Sequence, residues 1–330
     1  MPFTTRSIAA NTKSVLLAFS LISLAACAAT GPITSDAQPG SAGATGNGDV
    51  LALLPGQYDN HAQVWQASQS KAALPPVHVR QRIVASKGMD HTWDWQLTMT
   101  GADGKPLVAH WRYHLRSLPD GQLMMTPSRA LPAKASTTDP QWAELTPCAM
   151  QGRATGGRLQ LAASKDACSA IIAGLGSAAA LLPITLNFDG KKLITKTYSD
   201  LARGNDAYQE ARPVHWYRGW AAINGAGPDA KADSKDWHMQ RDLRIGNQGQ
   251  DVAIRWRDGN PSGYSLRLET LHYLKRDMQV LRLSLVRDQD DSTVAYAWAD
   301  PGAEHIGLNL GWVQAGLTRG PSGQTGDRNP

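Results

Sequence analysis

The chain has 330 residues, 42% of them hydrophobic and 18% charged, which suffices for a buried core and excludes a disordered or collagenous chain. Its formal charge is +5, and taking Arg6 and Lys13 away with an N-terminal leader lowers that by two. A balance that small, without a clustered basic run, argues against a nucleic-acid partner. Eleven Trp and eight Tyr stand against three Phe. Phe3 and Phe19 fall in the leader, so the folded part draws its aromatic core from Trp and Tyr.

Arg6 and Lys13 precede an apolar run, Val15 to Ala26, that is too short to span a bilayer. The run ends in Leu24-Ala25-Ala26-Cys27, which resembles a bacterial lipobox. This predicts a lipoprotein signal peptide over 1–26, cleavage before Cys27, and a diacylglycerol on its thiol. An ordinary signal peptide with Cys27 left free is the alternative. Ala28 after the cysteine, rather than Asp, favours an outer-membrane, periplasm-facing lipoprotein. Residues 27–48 are small and polar and read as a flexible tether with a span on the order of 25 Å. No later stretch is a transmembrane candidate. Export would place Cys148 and Cys168 in an oxidising compartment, where an even pair reads as a disulfide worth about 3 kcal/mol. A catalytic or ligand-attaching thiol is the alternative.

Asp49 to Ser70 carries helical spacing, broken at Pro55-Gly56. From Pro75 the pattern changes to period-2 runs. Val77, Val79, Gln81 and Ile83 share a strand face, as do Trp93, Trp95, Leu97 and Met99, and then Leu107, Ala109, Trp111, Tyr113 and Leu115. Turns at Ser86-Lys87-Gly88, Gly101 to Gly104 and Pro119-Asp120-Gly121 separate them. Further strands are expected over Arg158–Ala162, Pro183–Phe188 and Lys192–Tyr198. Gly174-Leu175-Gly176 and Ala179 touch a dinucleotide-binding pattern, but no βαβ unit surrounds them, and a buried helix or a strand and turn in the core is the better account. A Gly/Ala/Asp/Lys-rich stretch at 223–235 reads as a linker. Beyond it, alternating runs around Val252, Leu266, Leu283, Tyr296 and Leu308 predict a second antiparallel β domain over 236–316, followed by a disordered tail over 317–330. Turns at this spacing indicate an all-β sandwich or barrel.

Several segments look familiar together. Leu54-Pro55-Gly56-Gln57-Tyr58-Asp59-Asn60-His61-Ala62-Gln63 opens the folded part, and Arg80-Gln81-Arg82-Ile83-Val84 starts a strand. Pro147-Cys148-Ala149-Met150 follows, then Cys168, then Asp200 and Arg203-Gly204. In this order the set resembles the phycobiliprotein chromophore lyases of CpcT/CpeT type. The resemblance spans about Asp49 to Gly219 and sets the expected barrel domain at 49–222. It implies a lipocalin-like antiparallel β-barrel capped near one mouth by the first helix. It also implies a linear tetrapyrrole as ligand and its transfer to a cysteine of a phycobiliprotein.

The strand Leu107 to Leu118 carries His110, Arg112, His114 and Arg116 opposite its aromatic face, and the strand at Val77 carries His78, Arg80 and Arg82. Two cationic stripes on neighbouring strands are expected to line a cavity, where guanidinium forks hold carboxylates, or else to be solvated outer faces. Arg80, Arg82, His110, Arg112 and His114 are the candidate ligand-binding residues. His110 and His114 lie about 13 Å apart along a strand, so no metal is expected there. Asp288-Gln289-Asp290-Asp291 lacks the Gly and distal Glu of a calcium loop. No catalytic motif can be placed. The expectation is a lipid-anchored barrel that binds a small amphiphilic, carboxylate-bearing ligand. The alternatives are a chromophore lyase, and a structural or assembly lipoprotein with a protein partner on its C-terminal domain.

Overall fold

The computed structural model describes residues 47–100, 105–131, 141–204, 207–231, 233–273 and 278–321. The expected leader, Cys27, nearly all of the expected tether, the turn at 101–104 and residues 322–330 of the expected tail lie outside the described residues.

The described chain opens with helix α1 (Asn47–Ala52), strand β1 (Gly56–Asp59) and helix α2 (His61–Gln69). The break at Pro55-Gly56 therefore leads into a strand, not a loop between two helical pieces. Pro55 has no N–H to give a helix, while Gly56 to Asp59 pair along one side and Tyr58 and Asp59 pair along the other as well. Strands β2 (Val79–Ala85), β3 (Thr92–Thr100), β4 (Pro106–Ser117), β5 (Leu123–Ala130), β6 (Trp142–Glu144), β7 (Met150–Thr155) and β8 (Arg158–Ala163) follow. Helix α3 (Lys165–Ile172), strands β9 (Pro183–Phe188) and β10 (Leu193–Thr197), helix α4 (Tyr198–Arg203) and strand β11 (Gln209–Pro213) complete the first part. Ten of these strands close an antiparallel ring in the order β1-β2-β3-β4-β5-β7-β8-β9-β10-β11, with β6 attached to β5 outside it. This is the all-β architecture expected from the alternating runs, in the form of the lipocalin-like barrel that the resemblance implies.

The ring encloses the apolar faces. Trp95, Trp111, Tyr113, Phe188, Ile83 and Leu97 are among its fully buried side chains. Polar ends of the aromatics are mostly used: Trp95 Nε1 donates to Gln81 Oε1 at 3.1 Å, and Tyr113 Oη donates to the Pro183 carbonyl at 3.3 Å. Tyr58 Oη donates to the Leu54 carbonyl at 2.8 Å. Val50 and Leu54 join this core from the α1 side. The expected disulfide is formed, and Cys148–Cys168 ties the short 3-10 turn Thr146–Cys148 to α3. Residues Ala167 to Leu182 supply most of α3 and a second 3-10 turn, Gly176–Leu181, both with buried apolar residues.

The remaining strands are β12 (Trp216–Asn224), β13 (Trp237–Gly246), β14 (Gln248–Arg255), β15 (Pro261–His272), β16 (Gln279–Arg287), β17 (Ser292–Ala299), β18 (His305–Asn309) and β19 (Val313–Arg319). They form two four-stranded sheets, β13-β12-β19-β18 and β14-β15-β16-β17. Tyr217, Ile223, Ile245, Val313 and Leu317 of the first meet Ile254, Leu268, Leu283 and Leu285 of the second in one core, so this part is a β-sandwich. It begins at Trp216 rather than after a linker. The expected linker is flanked by two paired strands of one sheet, because Asn224 pairs with Trp237. The sheet also continues past the expected boundary at 316, since β19 runs to Arg319.

Polar contacts order the junction and link barrel to sandwich. The Val214 N–H donates to the Gln57 carbonyl at 2.8 Å. Asn247 accepts from the His215 N–H at 2.8 Å and donates to Thr270 Oγ1 at 2.9 Å. His61, at the start of α2, reaches Glu269 of β15 at 2.9 Å, and Arg282 of β16 holds the other carboxylate oxygen at 2.6 Å.

Candidate functional site

Which face of each early strand looks inward decides the site. On β2, Val79, Gln81 and Ile83 are buried and Arg80 and Arg82 are exposed. On β4, Ala109, Trp111, Tyr113 and Leu115 are buried, while His110, Arg112 and His114 lie on the opposite face. All five candidate ligand-binding residues therefore stand on the outside of the barrel wall, and the expectation that they line its lumen is corrected. The physical reason is desolvation. A guanidinium in the lumen would leave water with too few carboxylates to receive it, whereas each buried Trp or Tyr side chain gains from leaving water.

The outer wall sorts these residues into two groups. Arg112 forks onto Asp94, with Nε to Oδ1 at 2.7 Å and Nη2 to Oδ2 at 3.2 Å, and stacks over the Trp142 ring at 4.3 Å. His110 meets the same Trp142 edge-on at 5.8 Å, and His114 is exposed. Arg80 and Arg82, by contrast, face the sandwich. Arg80 Nε lies 3.3 Å from Asp59 Oδ2, and that buried carboxylate also accepts from His78 Nε2 at 2.7 Å and from the His61 N–H at 2.8 Å. Arg82 makes no ion pair among the described residues and is exposed at the mouth of a groove.

That groove has a volume of about 380 Å³ and runs between β1 and β2 of the barrel and β12 and β13 of the sandwich. Arg112, His110 and His114 do not line it. The barrel contributes Arg82 and the sandwich contributes Arg218 and Arg244. The latter two sit directly opposite each other in the β12–β13 ladder, an arrangement in which like charges repel. The Arg244 guanidinium lies over the Trp216 ring at 4.1 Å. Leu53, Pro55, Val84 and Pro213 give the groove apolar walls, and no Asp or Glu is among its described lining residues. His215 also faces it; burial first, and the nearby Arg319 charge second, lower the imidazole to about 4. It is neutral at physiological pH, so the positive charge of the groove comes from the guanidiniums. Chemically, the arrangement can hold an anionic group beside an apolar body.

Trp216, Arg218, His215 and Arg244 were not legible as site residues. Trp216, Arg218 and Arg244 are ordinary members of two strands, His215 lies between two strands, and only the register Arg218 opposite Arg244 brings the charges together. Among the described residues no group of three or more His, Cys, Asp and Glu side chains is placed to hold a metal ion. No family model, no curated protein and no solved structure matches the chain.

Proposed function

We propose that the protein binds a small amphiphilic ligand bearing a carboxylate, and that it does so in the groove between barrel and sandwich rather than in the barrel lumen. The observation that carries this reading is the composition of one cavity: Arg82, Arg218 and Arg244 converge on about 380 Å³ walled by apolar side chains. A carboxylate on the Arg82 fork gains charge-assisted hydrogen bonds, and the two guanidiniums across the groove add to the field that attracts it. The filled barrel then serves as a rigid wall that presents Arg82. A linear tetrapyrrole, with its propionates, belongs to the same ligand class. The lipobox-like Cys27 supports a lipid-anchored, periplasm-facing location for this binding module.

Isothermal titration with decanoate tests the reading. The folded protein takes up decanoate at one site, decanol binds at least tenfold more weakly, and Arg82→Ala reduces decanoate affinity about tenfold. Absence of saturable decanoate binding refutes it. Mass spectrometry of protein extracted from membranes reads the anchor separately, because lipidation adds acyl mass at Cys27.

A second reading, docking through the sandwich, is favoured by β17. Its inner face carries Ala295, Ala297 and Ala299, while Val294, Tyr296 and Trp298 are 44%, 53% and 41% exposed on an uncharged edge strand. Such an edge invites pairing with another chain. A Tyr296→Lys variant that leaves sedimentation and recovery from membranes unchanged speaks against this reading.

A further inference from the structure

A second cavity of about 160 Å³ adjoins the groove, and Gln57, Tyr58, Arg82 and Val214 belong to the walls of both. Its character is different. Besides Arg80 and Arg82 it is bounded by Gln57, Gln96, Thr98 and Gln250, side chains that offer amide and hydroxyl groups. The barrel side is an ordered grid of outward residues. Gln57 of β1, Arg82 of β2 and Gln96 of β3 are direct cross-strand neighbours, and so are Asp59, Arg80 and Thr98. Gln250 of β14 faces this grid from the sandwich.

Arg82 is thus flanked on both sides by glutamines whose Cβ atoms lie about 5 Å from its own. Each glutamine supplies one acceptor oxygen and an N–H₂ donor. The Asp59 carboxylate does not compete for a ligand donor, since it already accepts from His61, His78 and Arg80. A ligand whose carboxylate sits on the Arg82 fork places whatever polar group it carries one carbon away over Gln57 or Gln96. Its apolar body is then left to the larger groove.

We infer that the ligand is an acidic amphiphile with an amide next to its carboxylate, that is, an N-acyl amino acid. The carboxylate is held by Arg82. The amide N–H donates to a glutamine oxygen and the amide carbonyl accepts from a glutamine N–H₂. The acyl chain lies along Leu53, Pro55 and Val84. This inference rests on the groove-binding reading, and the test separates the two.

Titration of the full protein with three probes carries the test: decanoate, N-decanoylglycine, and N-decanoylsarcosine, which keeps the carbonyl and the carboxylate but lacks the N–H. N-decanoylglycine is expected to bind about tenfold more tightly than either of the others. Replacing Gln57→Leu together with Gln96→Leu brings the ratio of N-decanoylglycine to decanoate affinity close to one. Equal binding of all three probes by the unmodified protein overturns the inference and leaves the groove reading intact, and that comparison needs no variant. A preference that survives the double substitution overturns the assignment to these glutamines. Failure of all three to bind removes the groove reading and the inference with it.

Discussion

Replacing Glu269 by glutamine tests the joint between barrel and sandwich. The carboxylate is 2% exposed and accepts three bonds: His61 Nε2 at 2.9 Å on Oε1, and Arg282 Nε at 3.0 Å and Nη2 at 2.6 Å on Oε2. Removing one partner of a buried ion pair costs about 3–5 kcal/mol. Here His61 and Arg282 each retain 19% exposure, so water takes over part of their solvation, and the glutamine keeps one acceptor oxygen. The expected loss for Glu269→Gln is about 2–3 kcal/mol at pH 7. Burial raises the Glu269 carboxyl, but the hydrogen bond from His61 and the charge of Arg282 outweigh it and hold the group below its ordinary value. A carboxylate depressed in the folded state stabilises above its unfolded pKa, and that contribution is lost as pH falls through the folded one. The gap between wild type and variant therefore closes below about pH 4. Urea unfolding followed by Trp fluorescence from pH 7 to pH 3 measures both effects. A variant within about 0.5 kcal/mol of wild type at pH 7, an ordinary surface value, would refute the role given to this carboxylate.

Two further outcomes are expected. Converting Cys148 and Cys168 to serine together opens a loop of sequence separation 20 and lowers stability by about 3 kcal/mol in urea titration; a loss below about 1 kcal/mol contradicts the entropic account. For His215, lowered from 6.5 to about 4 mainly by burial, the unfolded chain takes up the proton first. The His215 contribution to stability then declines as pH falls from about 6.5 to about 4 and is constant below that. His215→Gln flattens that part of the pH profile, and an unchanged slope shows that another group is responsible.

Much of the fold was legible because period-2 burial is a local property. The faces Val79–Gln81–Ile83 and Ala109–Trp111–Tyr113–Leu115 are buried as sets, and the Cys148–Cys168 bond follows from an even pair. What failed needed partners distant in sequence. The four-residue strand β1 is too short to declare a period and exists because β2 and β11 both pair with it. β12 belongs to the sandwich because its ladder neighbours, β13 and β19, lie beyond the apparent linker. On β17, alternation identifies Val294, Tyr296 and Trp298 as one face, yet small alanines fill the core side against Leu283 and Leu285. Periodicity separates two faces; packing volume chooses between them.

The same choice governs the cationic stripes, and there composition could have decided it. Placing Arg80, Arg82, Arg112 and Arg116 in the lumen would have put Trp95, Trp111 and Tyr113 on the outside, because neighbours on a strand point to opposite faces. Both consequences are unfavourable: several guanidiniums would lose water, and three of the largest apolar side chains would keep it. Asp59 and Asp94, the carboxylates that pair with Arg80 and Arg112, lie on the same face as those arginines, so the acidic partners travel outward with the cations. Of Arg80, Arg82 and Arg112, Arg82 alone lacks an acidic partner among the described residues, and it meets the sandwich. A barrel by itself would leave that charge in bulk water, as an ordinary surface arginine. The sandwich brings Arg218 and Arg244 opposite it across an apolar groove. Under the proposed groove binding, uptake depends on the joint between the two β units, and loosening that joint through Glu269→Gln is expected to weaken decanoate uptake even though Glu269 does not line the groove. Titration of the folded variant reads this directly, and an affinity equal to that of wild type would show that the groove holds its shape without the Glu269 bridge.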